Sequence, residues 1–370
     1  MAIPWRLLDL CNISYNKNMD KDAKKSTSVA LYRKYRPEHF KEVLGQDHIV
    51  SALEGALKDD VVAHAYLFSG SRGTGKTSTA RIFARAVGCS LKDIYEIDAA
   101  SNRKIEHIRE IRDAVSVLPF DSPYKVYIID EVHMLTDPAF NALLKTLEEP
   151  PAHVLFMLAT TEKRKLPDTI ISRCQSFEFK KPSLRVLESM LQVVAKKEGM
   201  TLKPSVAHNL ALLSDGSFRD ALGMLQKVFY ATDDNTIDVS DVERIAGVPQ
   251  SSFVHDFITA IDTKDASKGL VVIDTVTKEN IDMKVFCMMV INSIRTLLLL
   301  RHAPDMKSLL QERYSEEDFS FLESLSKDSK NSLTAKTLKE LLSAYNDINF
   351  AAIATLPLEL AFIKMCKKVE

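Results

Sequence analysis

Gly70-Ser71-Arg72-Gly73-Thr74-Gly75-Lys76-Thr77 decides how this chain is read. It satisfies the pattern G-x-x-x-x-G-K-[ST]. Ala65-Tyr66-Leu67-Phe68 before it reads as a short buried strand, and Ser78 to Val87 after it reads as a helix. Glycines let the backbone curl so that its N–H groups converge on phosphate oxygens at a helix N-terminus. Lys76 is placed to neutralise the β/γ-phosphates, and the Thr77 hydroxyl to complete a magnesium shell. The stretch therefore points to a nucleoside triphosphate, ATP or GTP, bound with Mg2+.

Outward from this loop, the pattern between Val29 and Lys181 is α/β. Strand-like runs recur at Tyr66–Phe68, Ile94–Ile97, Lys125–Ile129, Val154–Ala159 and Ser176–Phe179, with helical periodicity between them. That alternation predicts crossover units and a five-stranded parallel sheet. Asp137 reads as a helix N-cap and Pro138 as the first helical residue, with Phe140, Leu143, Leu144 and Leu147 on one apolar face. Another helix is expected from Ser101-Asn102, carrying Ile105, Ile108, Ile111 and Val115 on one side. After Lys181-Pro182 the strand signals fade. Residues 183–246 read as three short helices, and residues 247–370 as a further all-helical block. The expected organisation is an extension over 1–28, a nucleotide-binding domain over 29–181, a small helical domain over 182–246 and a second helical domain over 247–370. The extension turns polar from Asn16 and is expected to be disordered, with Met19 an alternative start.

Composition narrows the function classes. Lys and Arg total 49 against 50 Asp and Glu, a net charge of −1, which argues against a basic coat but allows a local basic patch. The cysteines (Cys11, Cys89, Cys174, Cys287 and Cys366) are scattered and never spaced C-x-x-C. They fit reduced thiols in a cytoplasmic protein. No apolar run is expected to span a membrane, since Asn292, Ser293 and Arg295 interrupt the candidate near Val285–Leu300.

Lys125-Val126-Tyr127-Ile128-Ile129-Asp130-Glu131 reads as a buried strand ending in two acids. With a phosphate loop upstream, Asp130 is expected to hold magnesium and Glu131 to polarise the attacking water. Thr161 ends the next strand, where its hydroxyl can reach a γ-phosphate or the lytic water, or simply close the strand. Arg173 and Arg219 read alone as ordinary surface arginines. Transition-state charge on a phosphoryl group nevertheless calls for a fixed cation, and a guanidinium fork serves best.

Together these strings resemble the AAA+ ATPases, and among them the clamp-loader family of bacterial DNA polymerase III gamma/tau subunits. The resemblance is carried by Leu31-Tyr-Arg-Lys-Tyr-Arg-Pro-Glu-His-Phe-Lys-Glu-Val-Leu-Gly-Gln46, the phosphate loop and Ile97-Asp-Ala-Ala-Ser-Asn102. It continues through Val126-Tyr-Ile-Ile-Asp-Glu-Val-His-Met-Leu135, Phe140 to Pro151, Leu158-Ala-Thr-Thr-Glu162, Ser172-Arg-Cys-Gln175 and Gly216-Ser-Phe-Arg-Asp-Ala-Leu222. It is strongest over residues 29–225 and only architectural beyond about 250.

The resemblance implies an AAA+ domain, a helical lid and a helical collar. The implied activity is ATP hydrolysis that drives loading of a sliding clamp onto primed DNA. Gly70 to Thr77 and Asp130 would bind ATP and Mg2+, Glu131 would activate water, and Thr161 would be the sensor-1 residue. Arg173 matches an arginine finger acting in trans on a neighbouring subunit, and Arg219 the sensor-2 arginine. Pro37, Val43 and Gln46 would border the base pocket. Lys104 and Lys145 match phosphate-tracking positions for DNA. Implied partners are delta-type and delta-prime-type subunits, further gamma/tau copies, the clamp and primed DNA, at a cytoplasmic replisome and with no membrane.

The chain departs from the family at Val87-Gly-Cys89-Ser-Leu-Lys-Asp-Ile94, where a four-cysteine zinc module usually lies. One cysteine cannot supply tetrahedral zinc, so no zinc is expected. The chain also reaches only Glu370, so helicase- and polymerase-tethering segments of longer tau forms are expected to be missing or held elsewhere. Two other readings compete: a structural stator without useful hydrolysis, and a different AAA+ machine such as a branch-migration motor. The intact loop, acids and arginines oppose the first, and the lack of a strand-rich wing in 247–370 opposes the second. A label of DNA polymerase would describe the holoenzyme, since no separate nucleotidyl-transfer carboxylates are evident.

Overall fold

In a computed structural model the described residues run from 29 to 366, apart from 103–104, 233–235, 239–241, 244, 246–248 and 329–330. The expected disordered extension lies outside them. Residues 29–36 belong to a unit of their own, with a short helix α1 (Leu31–Lys34), and the rest of the chain forms a second.

The second unit begins with α2 (Asp47–Lys58) and continues through β1 (Ala65–Gly70), α3 (Lys76–Ala86) and β2 (Ile94–Asp98). Then come α4 (Ile105–Val115), β3 (Lys125–Asp130), α5 (Asp137–Glu148), β4 (Val154–Thr160), α6 (Asp168–Ile171) and β5 (Gln175–Phe179). The five strands pair in parallel in the order β2-β3-β4-β1-β5, with Ala65 opposite Phe156 and Tyr66 opposite Gln175. All five sequence-predicted strands are present.

Period-2 alternation explains why the sheet is covered on both faces. Leu67, Tyr127, Ile129, Phe156 and Leu158 pack with Ile108, Ile111, Phe140, Leu143 and Leu147 of α4 and α5. The alternate residues Tyr66, Phe68, Val126, Ile128, Leu155 and Met157 pack with Ile49, Leu53, Ala80 and Phe83 of α2 and α3. The buried Lys125 donates to the carbonyl of Ala114 at 2.8 Å and so caps the C-terminus of α4, as its helix dipole favours.

One helix start differs from expectation. Thr136 is the N-cap of α5, its carbonyl accepting the Phe140 N–H at 2.9 Å, so Asp137 and Pro138 sit inside the first turn. Proline fits there because first-turn N–H groups have no helical partner. Among the described residues α4 begins at Ile105, and ahead of it Asp98 draws residues 99–102 into a turn. Its carboxylate accepts Ala100 N–H and Ser101 Oγ at 2.9 Å each, and its carbonyl accepts Asn102 N–H at 3.0 Å.

Beyond the sheet come α7 (Leu184–Lys197), β6 (Thr201–Leu202), α8 (Pro204–Leu213), α9 (Phe218–Ala231) and β7 (Thr236–Ile237). β6 and β7 pair in parallel, a two-residue ladder that sequence periodicity is too short to reveal. The final helices are α10 (Ser251–Thr263), α11 (Ala266–Lys278), α12 (Met283–His302), α13 (Lys307–Gln311), α14 (Glu316–Lys327), α15 (Ala335–Ile348) and α16 (Leu356–Cys366). They share one hydrophobic core, where Phe257 meets Phe286 and Phe362 at ring-centre distances of 5.3 and 5.0 Å. Contrary to expectation, α12 is long and apolar enough to cross a membrane by composition alone. Its packing assigns it instead to the core of this bundle, where Phe286, Cys287, Val290, Ile294 and Leu297 are buried.

Candidate nucleotide site

The carboxyl ends of β1, β3 and β4 gather the site, as expected where strand order reverses around β1 in an open parallel sheet. Gly70 ends β1 opposite Phe179, so closely that a Cβ there would overlap the Phe179 carbonyl. Gly73 and Gly75 take φ of +74° and +105°, a left-handed turn that leads directly into α3. Thr74 Oγ1 stiffens the loop by donating to the Ser71 carbonyl at 2.8 Å. The result is a concave run of backbone N–H groups at the start of an eleven-residue helix.

Lys76 is buried and donates to the carbonyls of Gly70 and Ser71 at 2.8 and 2.9 Å. Burial pushes its ammonium below the ordinary lysine range, opposed by the charges of Glu131 and Asp130. Thr77 Oγ1 donates to Asp130 Oδ2 at 2.6 Å, while Asp130 Oδ1 accepts the Glu131 N–H at 2.9 Å. That second bond helps turn the chain into left-handed backbone at Glu131, φ +47°. A non-glycine residue held there costs about 1–3 kcal/mol and tends to mark a functional position.

Glu131 Oε2 accepts from Thr161 Oγ1 at 3.0 Å and from the Thr161 N–H at 3.3 Å. Thus the structure brings together Lys76, Thr77, Asp130, Glu131 and Thr161. The start of α9, which carries Arg219, lies against the loop at Gly73. Phe218 N–H donates to the Gly73 carbonyl at 3.0 Å, and a Cβ on Gly73 would overlap Ser217 Oγ and stand 3.4 Å from Arg219 Cβ. Ser217 also caps α9, accepting the Asp220 N–H at 3.2 Å.

The remaining sequence-predicted residues fall elsewhere. Arg173 donates to Glu148 Oε1 at 2.7 Å and to the Thr169 carbonyl at 2.9 Å, outside the loop's hydrogen-bond set. Arg72 is exposed on the loop, Val43 is buried and Pro37 is half-buried. Gln46 is fully buried, with both ends of its amide paired to the backbone of Lys180 at 2.7 and 3.1 Å. It ties the segment before α2 to the segment after β5. Lys145 is exposed on α5, off its apolar face, and Lys104 lies outside the described residues. Cys89 is buried, with its thiol against the Tyr124 carbonyl at 3.2 Å.

Sequence reasoning passed over His133. Its only signal was a titratable side chain two residues after the second acid. The latch from Phe218 to Gly73 joins main-chain atoms and carried no sequence signal.

This sheet order, loop and pair of acids define an AAA+-type nucleotide-binding fold. A solved structure of the Thermotoga maritima RuvB Holliday junction branch migration motor shares the fold, with TM-score 0.50 and 21% identity over 61% of this chain and 79% of that one. A family model described as DNA polymerase III, delta subunit, matches residues 45–103 and 90–183. Another, described as DNA polymerase III subunits gamma and tau domain III, matches residues 237–370. The tau subunit of Bacillus subtilis is 36% identical over 363 residues, 91% of this chain and 63% of that protein. Mycoplasma pneumoniae gamma/tau is 39% identical over 272 residues (68% and 40%), and Escherichia coli tau 34% over 295 (74% and 46%). The chain belongs to the DNA polymerase III gamma/tau family. It spans less than two thirds of the length of each of these relatives.

Proposed function

We propose that this chain is an ATP-hydrolysing subunit of a sliding-clamp loader, using ATP binding and hydrolysis to place a clamp on primed DNA. The observation that carries the reading is the convergence of Lys76, the Thr77–Asp130 pair and the Glu131–Thr161 pair at the carboxyl end of the sheet.

The donor set suits Mg2+, since a hydroxyl and a carboxylate, both hard oxygen ligands, meet beside the loop. Thr77 and Asp130 would hold the ion, which supplies positive charge to the phosphates. The backbone N–H groups of residues 73–77 bind and orient the phosphate chain. Lys76 exchanges its carbonyl partners for β/γ-phosphate oxygens. Glu131 accepts a proton from the attacking water, and the Thr161 hydroxyl directs that carboxylate. Arg219 brings cationic charge from α9, and Arg173 would leave Glu148 to serve the ATP of a neighbouring subunit.

In this reading residues 29–181 form the ATPase domain, 182–246 the lid and 247–370 an oligomerising collar, with residues 1–28 an extension. Pro37 and Val43 line the base side of the site, and Gln46 holds that wall through Lys180. Lys104 and Lys145 track the DNA backbone by charge alone. The partners are delta-type and delta-prime-type subunits, further copies of this chain, the clamp and primed DNA, at the cytoplasmic replisome.

The test is steady-state ATP hydrolysis by the chain with its loader partners, with and without clamp plus primed DNA. Strong stimulation, lost in both Lys76→Ala and Arg173→Ala, supports the loader reading. Absence of stimulation in a verified complex reassigns the chain to a scaffold role.

A further inference from the structure

We infer that His133 is a positioning residue for the Glu131 carboxylate, acting through the turn that follows β4. Resting on the ATPase reading above, the inference gives a specific task to a buried, titratable side chain.

His133 sits in the short helical turn after Glu131, and its imidazole is only 5% exposed. Its Nδ1 lies 2.9 Å from Thr160 Oγ1 and 3.5 Å from Glu131 Oε2. Its Nε2 lies 3.5 Å from Glu162 Oε1. The ring therefore reaches across from the β3 turn to two positions at the end of β4, on either side of Thr161. Thr160 Oγ1 also accepts the Glu162 N–H at 3.0 Å, which folds residues 160–162 back on themselves. Thr161, at the centre of that fold, presents both its N–H and its hydroxyl to Glu131 Oε2.

These bonds close a ring of contacts: Glu131 to Thr161, Thr161 through Thr160 to His133, and His133 back to Glu131. A carboxylate on left-handed backbone at a strand end has few local restraints of its own. Thr161 restrains it from one side, but the Thr161 orientation depends on the 160–162 turn, whose inner wall is the imidazole. Removing the ring leaves Thr160 Oγ1 and Glu162 without this partner and frees the turn to shift. A shift of about 1 Å in a catalytic group costs on the order of a hundredfold in rate. Lys76 and Thr77 take their hydrogen bonds elsewhere, so nucleotide binding is independent of His133.

Two readouts test this in the complete loader complex. The first is ATP turnover against affinity for a fluorescent ATP analogue, with wild type and Glu131→Gln as references. His133→Ala is expected to lower turnover about tenfold to a hundredfold with affinity unchanged. His133→Asn, which keeps a polar nitrogen near the Nδ1 position, is expected to recover part of the loss. In a Glu131→Gln background His133→Ala is expected to have no further effect. The second readout needs no turnover: amide hydrogen exchange at Thr161, expected to accelerate in His133→Ala and to be restored in His133→Asn. Unchanged exchange at Thr161 overturns the inference whatever the ATPase result, as does a loss of affinity matching the loss of turnover. A wild-type complex that fails to hydrolyse ATP while Thr161 exchange responds as expected would overturn the ATPase reading and leave the positioning contact standing.

Discussion

The carboxyl end of the sheet, where the candidate nucleotide site lies, and the bundle formed by α10–α16 solve opposite problems with the same chain. At the carboxyl end of the sheet, polar groups stand at or just past strand ends and satisfy one another: Lys76 on its own loop, Thr77 on Asp130, Glu131 on Thr161. In the ATPase reading proposed above, those bonds are exchanged for a ligand. At the seam between this bundle and α7–α8, polar groups hold one another. His208 of α8 touches Glu188 at 2.7 Å and Asn292 of α12 at 3.2 Å, and Asn292 donates to Tyr314 at 2.9 Å. His208 is buried and Tyr314 half-buried at this seam, and burial pushes the Tyr314 phenol up to about 12. One region keeps replaceable partners, and the other keeps permanent ones.

The contrast can be broken by substitutions that should separate activity from stability. Lys76→Ala is expected to reduce ATP turnover by at least about a hundredfold, since it removes a preorganised cation from the reacting phosphates. Its thermal midpoint should not fall, because a buried ammonium is also removed. Gly269→Val should do the reverse. The Phe362 ring occupies the place of a side chain on Gly269, and a Cβ would overlap it. Overpacking there is expected to cost up to about 3 kcal/mol in chemical denaturation with nucleotide affinity retained. Asn292→Ala, which strands the polar atoms of the seam, is expected to cost about 1–2 kcal/mol by the same measurement.

Acid titration sharpens the contrast further. Burial acts to raise the Asp318 carboxyl, but bonds from His255 at 3.0 Å, Ser315 at 2.7 Å and Ser251 at 3.2 Å outweigh it and hold the group below its usual range. A carboxyl depressed in the folded state gives stability that is complete above its unfolded value, about pH 4, and is lost as pH falls through the folded value. Denaturant midpoints measured downward from pH 5 should drop in the wild type and less steeply in Asp318→Asn. The smallest effect belongs to the exposed Lys145. If it follows DNA phosphates, Lys145→Ala should lower the salt slope of DNA binding by about one counterion.

What could be read in the sequence was what is local. The phosphate loop, the acids after Ile129 and the five strands each declare themselves within a window of ten residues, because period-2 burial and glycine backbone freedom are local constraints. The start of α5 lies one residue earlier than the local pattern suggests, because Thr136 and not Asp137 is its N-cap. What could not be read were pairings between distant segments. Gln46 meets Lys180 across 134 positions, and His208 meets Asn292 across 84. Both residues are ordinary in their own neighbourhoods, so nothing nearby marks Gln46 as a strut or His208 as a link between two helical groups. His133 is intermediate: visible as a titratable group beside two acids, but given meaning only by the β4 turn folded over it.

The bond from Phe218 N–H to the Gly73 carbonyl has a practical consequence. Both atoms belong to the main chain, so any side chain with a backbone N–H leaves the donor intact at position 218, and only proline removes it. The connection between α9 and the phosphate loop is thus inherited with the fold itself, and side-chain exchange at position 218 does not tune it. An engineer wishing to uncouple the two would have to change backbone chemistry, for instance by an ester in place of the amide at 218, which deletes one donor and leaves every side chain in place.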